Sequence, residues 1–472
     1  MKGIKNIMKR FFLHFEKTIL FLLKLMMFAS IMIIFFLMFL EVSMVGGKFE
    51  LLRPSRTAAI AYPTFAVLGL LLIRIYGGWQ IGELKSREII RSVALATFFC
   101  DIVTFFQISI MLRQINAIDI WKNLGLLLVA FLAQFIIIIA FTRFGNFIYF
   151  KANDPEKTLI IYGDDELIDS QKDKVAHYKK QWKISRVLKY DALDIKKAIR
   201  DHEAVFIFNI PKTNNTEIIE YCYKHHKKLY FSPNVEEIII KHTRYTVVDD
   251  MVIFTSSIRG LTIEQLAIKR LFDIIFSLAI LLITSPLMLI QAIAIKITDG
   301  GKVIYKQDRL TRNNTVFQLL KFRTMIPNAE KNNNPQLSPK NDPRVTKIGK
   351  ILRKTRLDEL PQLINILKGD MSFVGPRPER KKVAQTLEHD LPEFRYRVKV
   401  KAGLTGTAQI WGKYNTTLRD KLILDLMYIE NYSIWLDLQL VLQTFKVFFK
   451  SDSTEGFNKD ALEEFERMMK KK

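Results

Sequence analysis

Residues 268–309 read IKRLFDIIFSLAILLITSPLMLIQAIAIKITDGGKVIYKQDR, and this stretch decides the topology of the chain. Its apolar part, residues 271–295, is long enough to cross a bilayer, since about 20 apolar residues cover the hydrocarbon core. A simple crossing would place everything after Asp299 on the outer side. Lysines and arginines stand on both flanks, however, and an excess of them marks the cytoplasmic side of a membrane segment. The charges therefore favour a segment whose two ends lie on the same side.

Ser285 and Pro286 lie near the middle of this apolar run, and Asp273 lies in its first turn. Proline removes one backbone hydrogen bond and bends a helix. We therefore predict a re-entrant membrane hairpin over residues 261–300, which enters the bilayer, breaks at Ser285 and Pro286 and returns to the same face. This requires that Ser285 or packed protein satisfy the carbonyls that proline leaves without a donor.

Four more apolar runs precede this segment, and each is long enough to be a transmembrane helix. The first is too long and too rich in phenylalanine for a cleaved signal peptide. Lysines and arginines are more frequent before the first run, between the second and third, and after the fourth, so both ends of the predicted bundle are cytoplasmic. The runs cover approximately residues 19–40, 58–75, 90–112 and 124–141. We predict a membrane protein with a four-helix transmembrane bundle in residues 1–150.

Composition excludes several protein classes. A hydrophobic content of 49% rules out a disordered chain, and the net charge of +24 comes without a nucleic-acid recognition motif or a concentrated basic helix. We therefore expect no nucleic-acid partner, but cations that contact membrane lipids and phosphates. Cys100 and Cys222 are the only cysteines, which makes a disulfide framework implausible.

Asp101 lies inside the third apolar run, where an ionisable side chain is costly. It has two interpretations: a functional carboxyl, or a carboxyl that is satisfied by Gln107 or by a neighbouring helix.

Residues 151–260 alternate short apolar runs with polar helical stretches, a pattern typical of βαβ units. The runs TLIIYG, ISRVLKY, AVFIFNI, KLYFSP and VVDDMVIFTS predict a small α/β domain with a parallel sheet, resembling a Rossmann fold. The first strand is followed by YGDDELIDS, which lacks the glycine-rich turn that binds phosphate. A structural or regulatory domain without a dinucleotide is therefore favoured.

The last part, residues 301–472, contains the groups suited to chemistry. Two strand-like runs around an Arg-Asn-Asn turn predict a β-hairpin, and Lys321 and Arg323 alternate on one face near its end. In KTRLDELPQLINILKG, the proline fits only the first turn of a helix, so Asp358 and Glu359 lie at the start of that helix. Acidic residues are ordinary caps at this position, because the unpaired N–H groups favour negative charge.

Arginines surround the two carboxylates and suggest a second interpretation. Arg353 and Arg356 come just before them, and Arg377 follows between two prolines that restrict its direction. Guanidinium groups bind phosphates, and carboxylates can bind Mg²⁺ or attack phosphorus. A helix cap and a phosphoryl-transfer site are both compatible with these residues. Further on, Lys421 and Asp425 are four residues apart on one helix face, which favours an ordinary ion pair over the alternative of a role in substrate binding.

Three motifs resemble a known family. KFRTM, DPRVTKIGKILRKTRLDELPQLINILKGDMSFVGPRPE and KAGLTGTAQIWGKY closely resemble the bacterial sugar transferases, the polyprenyl-phosphate hexose-1-phosphate transferases, and the whole chain looks like their large monotopic branch. The similarity extends from about residue 268 to residue 449. This chain departs from the common pattern in having Thr324 where serine is frequent, a change that keeps the hydroxyl.

The resemblance implies an α+β phosphoglycosyl transferase domain anchored by a re-entrant helix with a Ser-Pro break. It implies that Asp358 attacks a UDP-sugar, releases UMP and holds a covalent phosphosugar until undecaprenyl phosphate accepts it. The carboxylates of Glu359 and Asp358 would bind Mg²⁺, and Lys321, Arg323 and Arg377 would belong to the substrate site, with Arg353 and Arg356 beside them. Such enzymes perform the first membrane step of capsule, exopolysaccharide or O-antigen synthesis.

The resemblance also places the protein in the bacterial cytoplasmic (inner) membrane, with its soluble domains on the cytoplasmic side. Two alternatives stay open. A non-catalytic scaffold or regulator of a polysaccharide assembly complex could keep the same fold, and an ordinary glycosyltransferase would release UDP instead of UMP. Either the bundle or the α/β domain could form the contact of a homodimer.

Overall fold

The computed structural model describes residues 2–112, 117–241, 243–255, 261–326, 329, 342–412 and 416–447. Within these ranges the chain divides into two compact units, Met1–Ser232 and Pro233–Lys472. Five helices in the described residues are long and apolar enough to cross a membrane. The chain is therefore a membrane protein.

Four long helices open the first unit, and two short strands lie between the first and second helices. α1 packs on α4, α2 on α3, and α3 on α4. Their bounds are α1 Lys2–Met38, β1 Met44–Val45, β2 Lys48–Phe49, α2 Arg56–Tyr76, α3 Ser86–Met111 and α4 Ala117–Ala152. Asp101 of α3 is 1% exposed and accepts a hydrogen bond from Gln134 Nε2 of α4, at 3.2 Å. The partner thus comes from a neighbouring helix, as one of the two interpretations expected, and not from Gln107.

The predicted α/β domain follows these helices in the same unit. It contains β3 Glu156–Tyr162, α5 Ile168–Ala176, β4 Trp182–Lys189, α6 Ile195–Arg200, β5 Ala204–Phe208, α7 Lys212–Lys224 and β6 Lys228–Phe231. The strands form a parallel sheet in the order β4-β3-β5-β6, which confirms the prediction of βαβ units. At the end of β3, a Cβ on Gly163 would lie 2.1 Å from the carbonyl oxygen of Asn209. Close approach of two chain segments therefore explains this glycine without a phosphate.

The second unit begins with α8 Val235–Lys241 and a separate hairpin, β7 Arg244–Val248 and β8 Met251–Thr255. Because β7 pairs only with β8 among the described strands, the prediction that VVDDMVIFTS adds a strand to the parallel sheet is wrong. Asp249 has φ of 59°, a left-handed conformation that suits a tight hairpin turn. The two aspartates therefore separate two strands where the sequence pattern indicated one.

The rest of the second unit is an α+β arrangement. Its elements are α9 Ile263–Asp299, β9 Ile304–Leu310, β10 Val316–Phe322, α10 Lys347–Lys354, α11 Gln362–Lys368, β11 Ser372–Val374, α12 Lys381–Asp390, β12 Gly403–Thr405, α13 Thr407–Ile410, α14 Leu418–Glu430 and α15 Ile434–Val447. β9 and β10 form the predicted antiparallel hairpin, and β11 pairs with β12 in parallel. One apolar core joins β10, α11, β11, α14 and α15.

α9 differs from the prediction, because Pro286 lies inside one continuous helix. The predicted break at Ser285 and Pro286 into two arms of a hairpin is therefore wrong. Proline leaves the carbonyl of Leu282 without its usual donor, since the bond to the residue four positions earlier is lost. Ser285 Oγ donates to that carbonyl at 2.9 Å, so the serine satisfies the group that proline frees. This part of the prediction is confirmed, and the helix can continue.

α9 lies along the second unit with one buried face. In its first half, Phe276 and Ile280 pack on the core that contains α11. In its second half, Met288 and Ala292 pack on a cluster that contains Phe322. The opposite face carries large exposed apolar side chains along both halves: Leu271, Ile275, Leu278, Leu282, Ile283, Leu289, Ile290 and Ile293. An apolar face of this length suits hydrocarbon rather than water.

Candidate active site

The two carboxylates lie in a 3-10 turn immediately before α11. α10 ends at Lys354, and Arg356 then adopts φ of 53°, a left-handed conformation that is uncommon for a side chain of this size. This turn redirects the chain so that Leu357–Glu359 forms the 3-10 helix and Pro361 precedes α11. The predicted position of Asp358 and Glu359 at a helix start is therefore confirmed.

Glu359 is held by two cations that come from distant parts of the chain. Its Oε1 accepts hydrogen bonds from Lys321 Nζ at 3.2 Å and from Arg377 Nη2 at 3.0 Å. Burial alone would raise the pKa of this carboxyl, but the charges of Lys321, Arg377 and Arg356 outweigh burial and hold the pKa well below its ordinary value. Glu359 is therefore ionised at any physiological pH.

Asp358 has a different environment although it is the adjacent residue. It is 9% exposed, and burial, followed by the negative charge of Glu359, raises its pKa to about 6. The charges of Lys321, Arg353 and Arg377 act in the opposite direction without cancelling these effects. The ionised form of Asp358 is therefore less stabilised by its surroundings than the ionised form of Glu359. This makes Asp358 the carboxylate of the pair that is more available to react with an electrophile.

The other predicted cations have separate positions. Arg353 Nε donates to Thr324 Oγ1 at 2.8 Å, and the positive charge of Arg353 lowers the pKa of Asp358. The hydroxyl kept at Thr324 thus orients this arginine. Burial lowers the pKa of Arg356, whose charge acts on Glu359. For Arg323 the structure shows a different neighbour, because its guanidinium packs against the backbone of Gly301, where a Cβ would lie 2.5 Å from Nη1.

Arg377 lies in a segment whose backbone carbonyls are each bonded. Gly403 N–H donates to Pro376 O at 2.9 Å, Arg397 Nη2 to Arg377 O at 3.1 Å, and Arg309 Nη1 to Pro378 O at 3.0 Å. Sequence reasoning missed Arg309 and Arg397, because neither lies in a motif next to the carboxylates.

The predicted ion pair of Lys421 with Asp425 is replaced by another. Asp425 Oδ2 accepts from Arg397 Nε at 2.7 Å, and both side chains are buried, at 2% and 10% exposed. A spacing of four residues brings two side chains to one helix face. It does not exclude a closer partner from another element, and here that partner comes from the 3-10 segment Pro392–Lys399.

Asp358 and Glu359 offer carboxylate oxygens, the type of donor that suits a magnesium ion. Within the described ranges, no group of three or more His, Cys, Asp or Glu side chains could hold a metal. Mg²⁺, however, is commonly bound by one or two carboxylates together with water and substrate phosphates. Two adjacent carboxylates, one of them always ionised, fit an ion that is shared with a diphosphate.

These residues form one site that can bind phosphates and carry out nucleophilic chemistry. Lys321 and Arg377 meet at Glu359, while Arg353 and Arg356 approach the same pair of carboxylates. A carboxylate is a weak nucleophile toward an anionic phosphate, so the surrounding cations are needed to reduce the repulsion.

Known proteins are similar to this chain over the part that contains Asp358 and Glu359. Residues 264–451 match the family described as bacterial sugar transferase. Exopolysaccharide production protein PSS of Rhizobium leguminosarum bv. phaseoli is 38% identical over 188 residues, which are 38% of this chain and 94% of that protein. The UDP-glucose:undecaprenyl-phosphate glucose-1-phosphate transferase of Caulobacter vibrioides is 36% identical over 190 residues, 39% of this chain and 71% of that protein.

Longer relatives are matched over a smaller share of their length. The UDP-N-acetylgalactosamine-undecaprenyl-phosphate N-acetylgalactosaminephosphotransferase of Aeromonas hydrophila is 40% identical over 182 residues, which are 38% of this chain and 43% of that protein. The match with the chain thus spans about two-fifths of the length of this relative.

Proposed function

The chain belongs to the bacterial sugar transferase family, and on that premise we propose that it transfers a sugar-1-phosphate from a UDP-sugar to undecaprenyl phosphate. One observation carries the proposal: two adjacent carboxylates have opposite environments. Glu359 is neutralised by Lys321 and Arg377, while Asp358 is buried with a raised pKa. Environments that separate the pKa values of two neighbouring groups commonly separate their roles in catalysis.

The first step is attack on the sugar-bearing phosphorus of the donor. An Oδ atom of Asp358 forms a bond to this phosphorus, the bond from phosphorus to the bridging oxygen breaks, and UMP leaves with the electron pair. The product is an acyl phosphate in which the phosphosugar is joined to Asp358. Lys321 and Arg377 hold Glu359, and their remaining donors can bind the oxygens of the diphosphate.

The second step uses the lipid acceptor. An oxygen of undecaprenyl phosphate attacks the same phosphorus, and the bond to Asp358 breaks, which restores the carboxylate and leaves the sugar on a lipid diphosphate. Two steps allow a soluble donor and a membrane acceptor to use one site in turn. Mg²⁺ bound by Glu359 and Asp358 would supply positive charge that stabilises the phosphate oxygens in both steps.

We propose further that α1 to α4 cross the cytoplasmic membrane and that α9, as a continuous helix, keeps both ends on the cytoplasmic side with its exposed apolar face in the cytoplasmic leaflet. Three findings support this placement: both halves of α9 pack on the same unit, the exposed face is apolar along both halves, and cations flank both ends. The variant Gly300→Cys tests this, after replacement of Cys100 and Cys222 by serine. A probe that cannot cross membranes should label it only in inverted vesicles; labelling in intact cells would contradict this placement.

The experiment that tests the reaction is a nucleotide-release assay with purified full-length protein, undecaprenyl phosphate, Mg²⁺ and a panel of UDP-sugars. The proposal predicts UMP with at least one sugar and none with the Asp358→Asn variant. Release of UDP would indicate an ordinary glycosyltransferase. Release of neither nucleotide with any sugar would favour a scaffold.

A further inference from the structure

The segment that carries Arg377 is fixed through its carbonyls, because Pro376 and Pro378 have no N–H to donate. Four consecutive carbonyls, from Pro376 to Glu379, each accept a hydrogen bond. The donors for Pro376 and Glu379 are the backbone N–H groups of Gly403 and Leu310. The donors for the two carbonyls between them are arginine side chains, and the one at Arg377 itself is Arg397.

Arg397 is itself held in a single orientation. Its Nε donates to Asp425 Oδ2 at 2.7 Å, its Nη2 donates to Arg377 O at 3.1 Å, and its guanidinium lies 4.6 Å from the centroid of the Phe394 ring. Only a planar guanidinium can direct separate N–H groups at a carboxylate and a carbonyl from one fixed position. With the side chains of Arg397 and Asp425 10% and 2% exposed, water has little access to the bond between them, which fixes the guanidinium from which Nη2 reaches Arg377 O.

We infer that Arg397, oriented by Asp425, is a positioning residue that sets the direction of the Arg377 side chain toward Glu359. The inference rests on the proposed function. Arg397 does not touch the two carboxylates in any contact described above; it acts on the backbone from which Arg377 extends. A shift of this carbonyl by about 1 Å would be enough to misplace a group that acts on the reacting phosphate, and such shifts can lower rates roughly 100-fold.

The variant that tests this is Arg397→Lys, which keeps the positive charge beside Asp425. A lysine ammonium can reach the carboxylate or the carbonyl, but cannot hold both in the geometry of the guanidinium. Lys399→Ala is the matched control. Lys399 lies two residues away in the same 3-10 segment and makes a longer ion pair, 3.6 Å from Glu430 Oε1. We expect Arg397→Lys to lower kcat roughly 10- to 100-fold and Lys399→Ala to leave it unchanged.

A double-mutant cycle separates positioning from general support of the fold. If Arg397 acts through Arg377, the variant Arg377→Ala removes the side chain that Arg397 directs. Adding Arg397→Lys to Arg377→Ala should then produce no further loss of kcat, since coupled residues do not act additively. Losses that multiply in the double variant would overturn the inference, as would a single Arg397→Lys variant with wild-type kcat.

Thermal unfolding gives a second readout. If Arg397 acts by directing Arg377, Arg397→Lys should lower kcat while its Tm stays close to that of the wild type. If Arg397→Lys does not fold, Asp425→Asn, which releases the Arg397 guanidinium from its anchor, carries the same double-mutant cycle. A loss of kcat that is fully explained by a smaller folded fraction contradicts the inference. Wild-type protein that releases no UMP from any UDP-sugar would instead reject the proposed function.

Discussion

Replacing Asp358 by asparagine should abolish turnover and yet make the protein more stable at alkaline pH. Burial and the adjacent Glu359 raise the pKa of Asp358 from 3.8 to about 6 in the folded protein. A carboxyl with a higher pKa when folded binds its proton more tightly in that state, so ionising it above its folded pKa reduces stability. Asparagine keeps a similar shape and removes the charge.

The magnitude follows from the two pKa values. A rise from 3.8 to about 6, at about 1.4 kcal/mol per pKa unit, gives a penalty of roughly 3 kcal/mol at pH 8. The penalty decreases as pH falls through 6, to roughly 1 kcal/mol at pH 4.5, and disappears well below pH 4. For a unit of this size, roughly 3 kcal/mol corresponds to an increase in Tm of about 6–12 °C.

The assay is thermal unfolding of the wild type and the Asp358→Asn variant in lipid nanodiscs, at pH 8 and at pH 4.5. The variant should have the higher Tm at pH 8, with a smaller difference at pH 4.5. Asp390→Asn is the control, because its side chain is 45% exposed and its removal should leave Tm nearly unchanged at both pH values. If the Asp358→Asn variant is less stable than the wild type at pH 8, or the difference does not depend on pH, the electrostatic reasoning is refuted.

Three more predictions concern the same site, and a fourth concerns the end of α11. Because Asp358 must be ionised to attack and has a pKa of about 6, kcat/KM for the UDP-sugar should be about tenfold lower at pH 5 than at pH 7 in a stopped assay. Lys321→Met removes one of the two cations on Glu359 and should lower kcat roughly 100- to 1,000-fold, measured as UMP release; a loss below twofold would contradict its role. Arg270→Met removes two hydrogen bonds to the last carbonyls of α11, at 2.5 and 2.6 Å, and should destabilise the unit by roughly 2–3 kcal/mol in thermal unfolding. Chelation of Mg²⁺ should stop turnover, and adding Mg²⁺ back should restore UMP release, since the carboxylates and the substrate phosphates would share the ion.

The position of the two carboxylates could be predicted because its causes are local. Pro361 can occupy only the first turn of a helix, the leucine and isoleucine spacing defines one helix face, and Gly369, at φ of 96°, ends the helix. The contacts of Lys321 and Arg377 with Glu359 could be expected only from the family motifs, since they join residues 38 and 18 positions apart in sequence.

Other features could not be read from the sequence because they depend on tertiary contacts. Asp425 has an attractive local partner in Lys421, but a guanidinium 28 residues earlier lies closer in the fold. The proline in α9 predicted a break, yet one serine hydroxyl replaces the missing donor, and packing along both halves supports a continuous helix. In both cases a local rule identified a residue that matters, Asp425 or Pro286, but tertiary contacts decided its partner or its effect.

The central claim is that Asp358 becomes covalently bonded to the phosphosugar. The most direct measurement is mass spectrometry of the full-length protein after incubation with a UDP-sugar and Mg²⁺ in the absence of undecaprenyl phosphate, followed by acid quench and digestion. We expect one added sugar phosphate per chain on the peptide that contains Asp358, one equivalent of UMP, and loss of the adduct when undecaprenyl phosphate is added. Turnover with UMP release but no adduct, or an adduct on another residue, would contradict it.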